Sequence, residues 1–154
     1  MDGSLSGGSR RVMGSGRDEA SRLHHEFLGT EHILLGIAAE SDGVAGDVLK
    51  SLGITLERVR SGVEHIVGIG PDSASPDDRG VTPRANQALG FAREEADHRG
   101  RPQVEPEHLL LGICREAHGV AAQVLRDLGV PPEDVRAEVS GLLGGGDVGG
   151  TQDV

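Results

Sequence analysis

The sequence has few of the residues on which nucleic-acid and disulfide-stabilised proteins depend. It contains two Phe, no Trp and no Tyr, so it lacks aromatic side chains on which bases could stack. Its formal net charge of -10 argues against a nucleic-acid partner, whose phosphates need clustered Lys and Arg. Cys114 is the only cysteine, which excludes an intramolecular disulfide and favours a reducing, cytoplasmic location.

Long apolar runs and enzyme motifs are also missing. No apolar run reaches the length of about 18 residues that a membrane span needs, and Met1 to Ser9 has no apolar signal-peptide core. No glycine-rich turn precedes a Lys-Ser or Lys-Thr pair, and no Gly-x-Ser-x-Gly elbow occurs. Cys114 lies in an apolar helical pattern typical of a buried, inert thiol. We therefore predict a protein with no enzymatic activity, no cofactor and no membrane partner.

The strongest pattern in the chain is an internal repeat. Gly29 to Gly68 aligns without a gap with Glu105 to Gly144, at a constant offset of 76 residues, and 19 of the 40 paired positions are identical. The same offset extends back to Leu5 and Val81. A self-match of this kind specifies the architecture of a chain. The predicted organisation is a flexible N-terminus at 1–4, repeat 1 at 5–68, a linker at 69–80, repeat 2 at 81–144 and a disordered tail at 145–154.

Each repeat has the periodicity and punctuation of four helices. In repeat 2, Thr82 is a capping residue, Pro83 stands at a first helical position, and apolar residues recur at helical spacing between Gly119 and Gly129. Because no alternation of period two runs for more than a few residues, we predict no sheet. The predicted fold class is all-α, with two tandem four-helix repeats packed in a pseudo-twofold arrangement.

The first helix of repeat 1 differs from its counterpart in glycine content. It carries glycine at positions 7, 8, 14 and 16, where repeat 2 has Pro83, Arg84, Gly90 and Ala92. An interior glycine costs a helix about 1 kcal/mol relative to alanine. We therefore expect this helix to be the weakest of the chain and to fray before Arg10.

A Glu-His pair opens the best-matched segment of both repeats. Glu31 and Glu107 fall in a first helical turn, where the helix dipole favours a carboxylate, and either could also pair with a guanidinium of a partner. His32 and His108 are expected to satisfy hydrogen bonds near the helix start. Although His24 and His25 lie nearby, no Cys/His quartet or His-Glu-x-x-His motif is formed, so we predict no metal site.

These segments carry a resemblance to a known family. Gly-Thr-Glu-His-Ile-Leu-Leu-Gly-Ile from Gly29 to Ile37, and Pro-Glu-His-Leu-Leu-Leu-Gly-Ile from Pro106 to Ile113, resemble the Clp N-terminal repeat domain. The segment Val81 to Asn86 and the spacing of the doubled motif resemble it as well. That domain is the double four-helix module at the front of ClpC-type and ClpA-type unfoldases, and the resemblance covers residues 5 to 144.

The resemblance implies a docking domain for substrates and adaptors of the Clp protease. In ClpC-like members the domain recognises proteins marked by phosphoarginine, one ligand per repeat, which implies Glu31 and Glu107 as guanidinium acceptors. It further implies Ser6 and Thr82 as hydroxyl donors, with Arg10 and Arg84 as basic residues for the phosphate. Leu5 and Val81 stand where the family usually has Phe, on the surface between the repeats where cyclic peptide antibiotics dock in actinobacterial relatives. Asn86 stands where the family usually has a lysine.

Three functions follow from the resemblance, because the chain carries no ATPase module and is either an excised domain or a stand-alone small Clp-repeat protein. The first is a module that binds phosphoarginine-marked or unfolded proteins and delivers or withholds clients of the Clp machine. The second is a decoy that sequesters Clp-targeting cyclic peptide antibiotics. The third is a structural partner of a Clp ATPase that needs no small ligand.

Overall fold

The computed structural model describes residues 4–71 and 80–144. Most of the predicted flexible N-terminus, most of the predicted linker and the predicted tail lie outside the described residues. Repeat 1 comprises α1 (Gly7–Arg22), β1 (Phe27–Leu28), α2 (Thr30–Ala39), α3 (Gly43–Ser51) and α4 (Leu56–Ile66). Repeat 2 comprises β2 (Gly80–Val81), α5 (Pro83–His98), α6 (Pro106–Glu116), α7 (Val120–Asp127) and α8 (Pro132–Leu142).

The helices pack with the predicted pseudo-twofold symmetry. Helix α3 contacts α8, and α4 contacts α7, so the last two helices of each repeat exchange partners across the interface. The contacts of α2 with α5 and α7 are matched by those of α6 with α1 and α3. Because each contact between the repeats has a counterpart under the offset of 76 residues, the two units bury their apolar faces against each other. The all-α, tandem four-helix prediction is confirmed.

Helices α2 and α6 form the centre of the core. Every residue of α2 from Thr30 to Ile37 is buried, and α6 is buried from His108 to Cys114. The core that surrounds them is aliphatic, with Leu, Val, Ile and Ala as its main residues. This composition explains how the chain folds with almost no aromatic residues, since fully burying an aliphatic side chain stabilises the fold by about 1.5–3 kcal/mol.

Each repeat has one glycine that its central helix needs for close packing. A Cβ built at Gly36 would collide with the carbonyl oxygen of Val12, and one at Gly112 would collide with that of Ala88. These paired positions are where α2 crosses α1 and where α6 crosses α5. The identity of both residues in the repeat is thus explained by contact between helix backbones.

Helix α1 is formed from Gly7 onward, so the expectation that it frays before Arg10 is wrong. Its N-terminus is fixed by Ser6, whose hydroxyl oxygen accepts a hydrogen bond from the Ser9 amide at 3.1 Å. The Ser9 hydroxyl in turn donates to the Val104 carbonyl oxygen at 2.7 Å, which ties α1 to repeat 2. Tertiary contacts therefore outweigh the low helix propensity of glycine here.

The structure contains a short parallel strand pair, which contradicts the prediction of no sheet. Residues Phe27 and Leu28 pair with Gly80 and Val81, and Leu5 forms an isolated parallel bridge with Val104. Strands of two residues are too short for an alternating pattern to be visible in the sequence. Both pairings join one repeat to the other.

Candidate functional site

The strand pairings place the first helix of each repeat against the second helix of the other. The Thr82 amide, at the start of α5, donates to the Leu28 carbonyl oxygen, just before α2. On the opposite side the Ser6 amide, at the start of α1, donates to the Val104 carbonyl oxygen, just before α6. Residues from both repeats therefore meet at each cleft.

Glu31 lies in a cleft of about 620 Å³ at the junction of the repeats. We call this the Glu31 cleft, and it is lined by Thr30, Glu31, Thr82, Pro83, Arg84, Gln87, Gly119 and Val120. The Glu31 residue is 9% exposed. Burial raises the pKa of its carboxyl group, although a hydrogen bond to its own backbone and the charge of His25 oppose the shift. The carboxyl group is thus poorly solvated and has no arginine or lysine partner among the described ion pairs.

The opposite wall of the Glu31 cleft is fixed by two other contacts. Thr82 caps α5, its hydroxyl oxygen accepting from the Ala85 amide at 3.1 Å, as predicted. Nη1 of Arg84 lies 3.0 Å from the buried carboxylate of Glu116, which holds the guanidinium at the rim. Glu31 and Arg84 therefore line the same cleft from different repeats, and one nitrogen of the Arg84 guanidinium is already paired with Glu116.

A second opening reaches Glu31 from the side of repeat 1. This outer cleft has a volume of about 520 Å³ and shares Glu31 and Thr82 with the Glu31 cleft. Its other lining residues are His24, His25, Glu26, Phe27, His32, Val67, Gly70 and Pro71. The Glu31 carboxyl group consequently stands where the two openings meet.

Glu107 lies in a corresponding cleft on the other side of the molecule, which we call the Glu107 cleft. It has a volume of about 530 Å³ and is lined by Val44, His98, Arg99, Arg101, Glu107, His108, Leu143 and Gly144. Burial raises the pKa of the Glu107 carboxyl group and Glu105 adds to the shift, whereas the charge of Arg101 opposes it. A basic side chain is therefore part of this site, as it is of the Glu31 cleft.

The two histidines make the predicted hydrogen bonds at the helix starts. Nδ1 of His32 accepts from the Gly29 amide at 2.9 Å, and Nδ1 of His108 accepts from the Glu105 amide at 2.8 Å. Nε2 of His32 lies 2.8 Å from Nδ1 of His25, whose Nε2 lies 2.7 Å from the Gly68 carbonyl oxygen. With both rings neutral, these acceptors place the protons on Nε2 of each histidine.

In repeat 2 only one histidine of this pair is present, and an arginine stands in place of the other. Arg101 stands at the position that pairs with His25. Burial lowers the pKa of His108 to about 4, and the charges of Arg99, Arg101 and Arg93 lower it further. His108 is therefore a neutral hydrogen-bond acceptor near neutral pH.

The remaining predicted site residues have structural contacts of their own. Ser6 is buried and caps α1, and Nη1 of Arg10 donates to the Leu5 carbonyl oxygen at 2.6 Å. Leu5 is 6% exposed and belongs to the core, while Val81 is partly buried against it. Little of the Leu5 side chain is thus available to a ligand.

Each cleft also contains residues for which the sequence offers no motif. Gln87 and Val120 in one cleft, and Val44, Arg99 and Arg101 in the other, carried no motif in the sequence. The repeat offset identifies paired positions but does not show that the paired helices exchange neighbours.

Three other expectations concern Cys114, a metal site and a membrane span. Cys114 is buried, as predicted, and burial raises the pKa of its thiol to about 12. Across residues 4–71 and 80–144, no three His, Cys, Asp or Glu side chains converge on a common metal position. Nor does this part of the chain contain a helix with the length and apolarity of a membrane span.

Comparison with known proteins agrees with the geometry. The sequence profile of the Clp repeat N-terminal domain matches residues 5–82 and 80–153. The chain is 44% identical over 134 residues to the chloroplastic chaperone protein ClpC of Pisum sativum, a match that covers 87% of this chain and 14% of that protein. A chloroplastic ClpA homologue of Brassica napus, an ATP-binding subunit of the ATP-dependent Clp protease, is also 44% identical, with 15% of its length covered.

Solved structures support the same fold. The N-terminal domain of ClpD from Arabidopsis thaliana superposes with a TM-score of 0.77 at 24% identity, covering 92% of this chain and 95% of that domain. The Hsp104 N-terminal domain from Candida albicans gives a TM-score of 0.75 at 15% identity and covers 92% of each chain. Because the chain spans about one seventh of the length of the curated relatives, the likeness concerns their N-terminal domain.

Proposed function

Since the chain belongs to the family of Clp repeat N-terminal domains, we propose that it is a non-catalytic docking module that binds proteins marked by phosphoarginine for the Clp machinery. The ligand carries a planar guanidinium and a phosphate on one side chain. The Glu31 and Glu107 clefts would each hold one phosphoarginine side chain.

The observation that carries this proposal is the arrangement of opposite charges across the Glu31 cleft. A carboxylate accepts two parallel hydrogen bonds from a guanidinium, and a hydroxyl group or a second guanidinium binds phosphate. Glu31 supplies the first group, and Thr82 and Arg84 supply the others. A ligand with a single charge would use only one wall of the cleft.

The burial of Glu31 is expected to strengthen its pairing with the guanidinium of the ligand. A carboxylate that is removed from water is destabilised until a cation compensates its charge, which is why burial raises the pKa of Glu31. A guanidinium entering the cleft restores that compensation. Because the ionised form is the one that binds, we expect ligand binding to release a proton from part of the Glu31 population near the raised pKa.

The test is calorimetric titration of the full chain with free phosphoarginine, with arginine and inorganic phosphate as separate probes. Glu31→Gln and Glu107→Gln should each remove one site, and the double variant should lose at least about tenfold in affinity, since hydrogen bonds to charged groups contribute about 1.5–3 kcal/mol. Glu57→Gln is the matched control, because Glu57 also occupies a first helical turn but is exposed and outside the clefts. No binding of phosphoarginine by the unsubstituted chain would overturn the proposal.

The structure gives less support to sequestration of a cyclic peptide antibiotic. That function depends on an apolar surface at Leu5 and Val81, and Leu5 lies in the core as the bridge partner of Val104. The Glu31 cleft, which depends on neither side chain, is therefore the stronger basis for a function.

A further inference from the structure

The surroundings of the two glutamates differ in chemistry although the backbone repeats. At the rim of the outer cleft, repeat 1 has Phe27 and Val67. The position that pairs with Phe27 is Gln103, whereas Val67 pairs with Leu143, which is also apolar and lines the Glu107 cleft, so the change in polarity lies at Phe27. The offset also pairs His25 with Arg101, so repeat 2 has a charged side chain where repeat 1 has one of two hydrogen-bonded histidines.

The rim in repeat 1 is apolar and open to solvent. Phe27 is 58% exposed and Val67 is 44% exposed, and both line the opening that ends at Glu31. Pro71 lines the same opening. Large exposed apolar residues beside a binding cleft are a recurrent mark of interaction sites. Because Glu31 and Thr82 line both openings, a peptide whose cation pairs with Glu31 can place a neighbouring side chain in the outer cleft.

The rim in repeat 2 is basic. His98, Arg99 and Arg101 line the Glu107 cleft, and Arg101 is exposed. The charge of Arg101 acts on both Glu107 and His108, so it lies close enough to influence a bound group. An anionic neighbour is favoured in such a field, whereas an apolar neighbour gains less.

We propose that the surroundings of the two glutamates select different residues beside the phosphoarginine: a bulky apolar residue in the outer cleft beside Glu31 and an acidic residue in the Glu107 cleft. This inference rests on the proposed function, and it specifies the class of client peptide that each site takes. One domain thereby recognises two kinds of marked segment.

The test uses two peptides of equal length with one central phosphoarginine, one flanked by Leu and the other by Asp, with Gly and Ser elsewhere. The Glu107→Gln chain leaves only the Glu31 cleft and should prefer the Leu peptide by about tenfold, the effect expected from partly burying one leucine side chain. The Glu31→Gln chain leaves only the Glu107 cleft and should prefer the Asp peptide by about threefold, in a salt-dependent manner.

Substitutions that exchange the rim residues between the repeats give a sharper result. In the Glu107→Gln background, Phe27→Gln introduces the residue of repeat 2 and should abolish the Leu preference. In the Glu31→Gln background, Arg101→His introduces the residue of repeat 1 and should abolish the Asp preference when measured near pH 8, where histidine is neutral. Leu142→Gln is the control, because Leu142 is 53% exposed and lines none of the three clefts.

The outcomes separate this inference from the function on which it rests. Failure of the unsubstituted chain to bind free phosphoarginine overturns both. Binding of free phosphoarginine with the same peptide ranking in both single-cleft variants overturns only the inference. The same holds if Phe27→Gln retains the Leu preference, or if Leu142→Gln loses it.

Discussion

In repeat 1 the buried Glu19 carboxylate lies between Arg22 and Arg60, whereas in repeat 2 the paired Glu95 lies between Arg99 and Arg115. The position of the acid is the same, but in repeat 1 the arginines come from α1 and α4, whereas in repeat 2 one directly follows α5 and the other lies in α6. Burial opposes ionisation of Glu19, yet the hydrogen bonds and charges of Arg60 and Arg22 outweigh it and lower its pKa. The fold thus requires a compensated carboxylate at this position but not a particular partner.

The same distinction applies to the clefts. The repeat preserves the residues that set the backbone, such as Gly36 with Gly112 and His32 with His108. Around the two glutamates it preserves Val44 with Val120 but not His25, which pairs with Arg101, or Phe27, which pairs with Gln103. A duplicated scaffold has therefore kept its helix contacts while its two surfaces have diverged.

The largest expected effect is the loss of stability when the buried carboxylates of the two repeats, Glu95 and Glu19, are substituted. Glu95→Gln should cost about 3–5 kcal/mol of the free energy of unfolding, because it removes the buried carboxylate that pairs with Arg99 and with the partly buried Arg115. The Glu95 side chain is fully buried. Glu19→Gln should cost less, about 1–3 kcal/mol, since Arg22 and Arg60 are more exposed and can be solvated. Urea denaturation of both variants measures the difference.

Glu94→Gln is the control for this comparison. Glu94 pairs with the same Arg115, through Nη2 at 3.1 Å, but its side chain is 59% exposed. A pair of that kind contributes at most about 1 kcal/mol. Equal losses in Glu94→Gln and Glu95→Gln would contradict the assignment of the effect to burial.

The next effect concerns pH and the basic surroundings of His108. Its folded pKa of about 4 lies below the ordinary value of 6.5, so the unfolded chain binds a proton more readily. Stability from this group is fully present above pH 6.5 and is lost as the pH falls through 6.5 towards 4, by about 3 kcal/mol in all. Thermal or urea unfolding across this range measures the loss.

His108→Asn isolates the contribution of His108. The asparagine side chain can accept the Glu105 amide hydrogen bond but does not titrate in this range. Shifts in the pKa of Glu31 and Glu107 are present in both chains and largely cancel in the difference. Parallel stability curves for the two proteins between pH 7 and pH 4 would rule out a depressed pKa at His108.

A third prediction exchanges a packing residue between the repeats. Helix propensity alone predicts that Gly16→Ala stabilises α1, since Ala92 stands at the paired position of α5. A Cβ built at Gly16, however, would lie 2.6 Å from the His32 carbonyl oxygen. We therefore expect Gly16→Ala to cost about 1–3 kcal/mol through overpacking. A gain in the melting temperature would show that α1 and α2 can accommodate a methyl group at position 16, as α5 and α6 accommodate the methyl group of Ala92.

The sequence was sufficient to predict the helices and their doubling, because the repeat and the capping residues are local signals. Thr82, for example, caps α5 as its position beside Pro83 indicated. It was not sufficient to predict how α1 is stabilised, since the Ser9 hydroxyl bonds to Val104, 95 residues away. Of the residues that line the clefts, Glu31, Thr82, Arg84 and Glu107 could be named from the sequence. Gln87 and Val44 could not, because each reaches a glutamate of the other repeat through tertiary packing that no spacing encodes. From the sequence, every glycine of α1 is expected to lower its helix propensity. In the structure, Gly16 is also required for close packing against α2, whereas Gly14 is not.

The smallest expected effect comes from alanine substitutions at two glycines that pack against nothing, one in each repeat. Gly14 and Gly90 occupy paired positions, and a Cβ at either would meet no atom within 4 Å. Gly14→Ala and Gly90→Ala should therefore each raise the free energy of unfolding by about 0.5–1 kcal/mol, through helix propensity and a less flexible unfolded chain. Chemical denaturation of both variants beside Gly16→Ala measures the effect. Equal gains in stability for Gly14→Ala and Gly90→Ala, together with a loss for Gly16→Ala, would show two roles for the glycines of α1. Gly16 would be needed for packing, whereas Gly14 would only lower the helix propensity. A gain at Gly90 alone would mean that α1 tolerates no added side chain even where the structure leaves room for one.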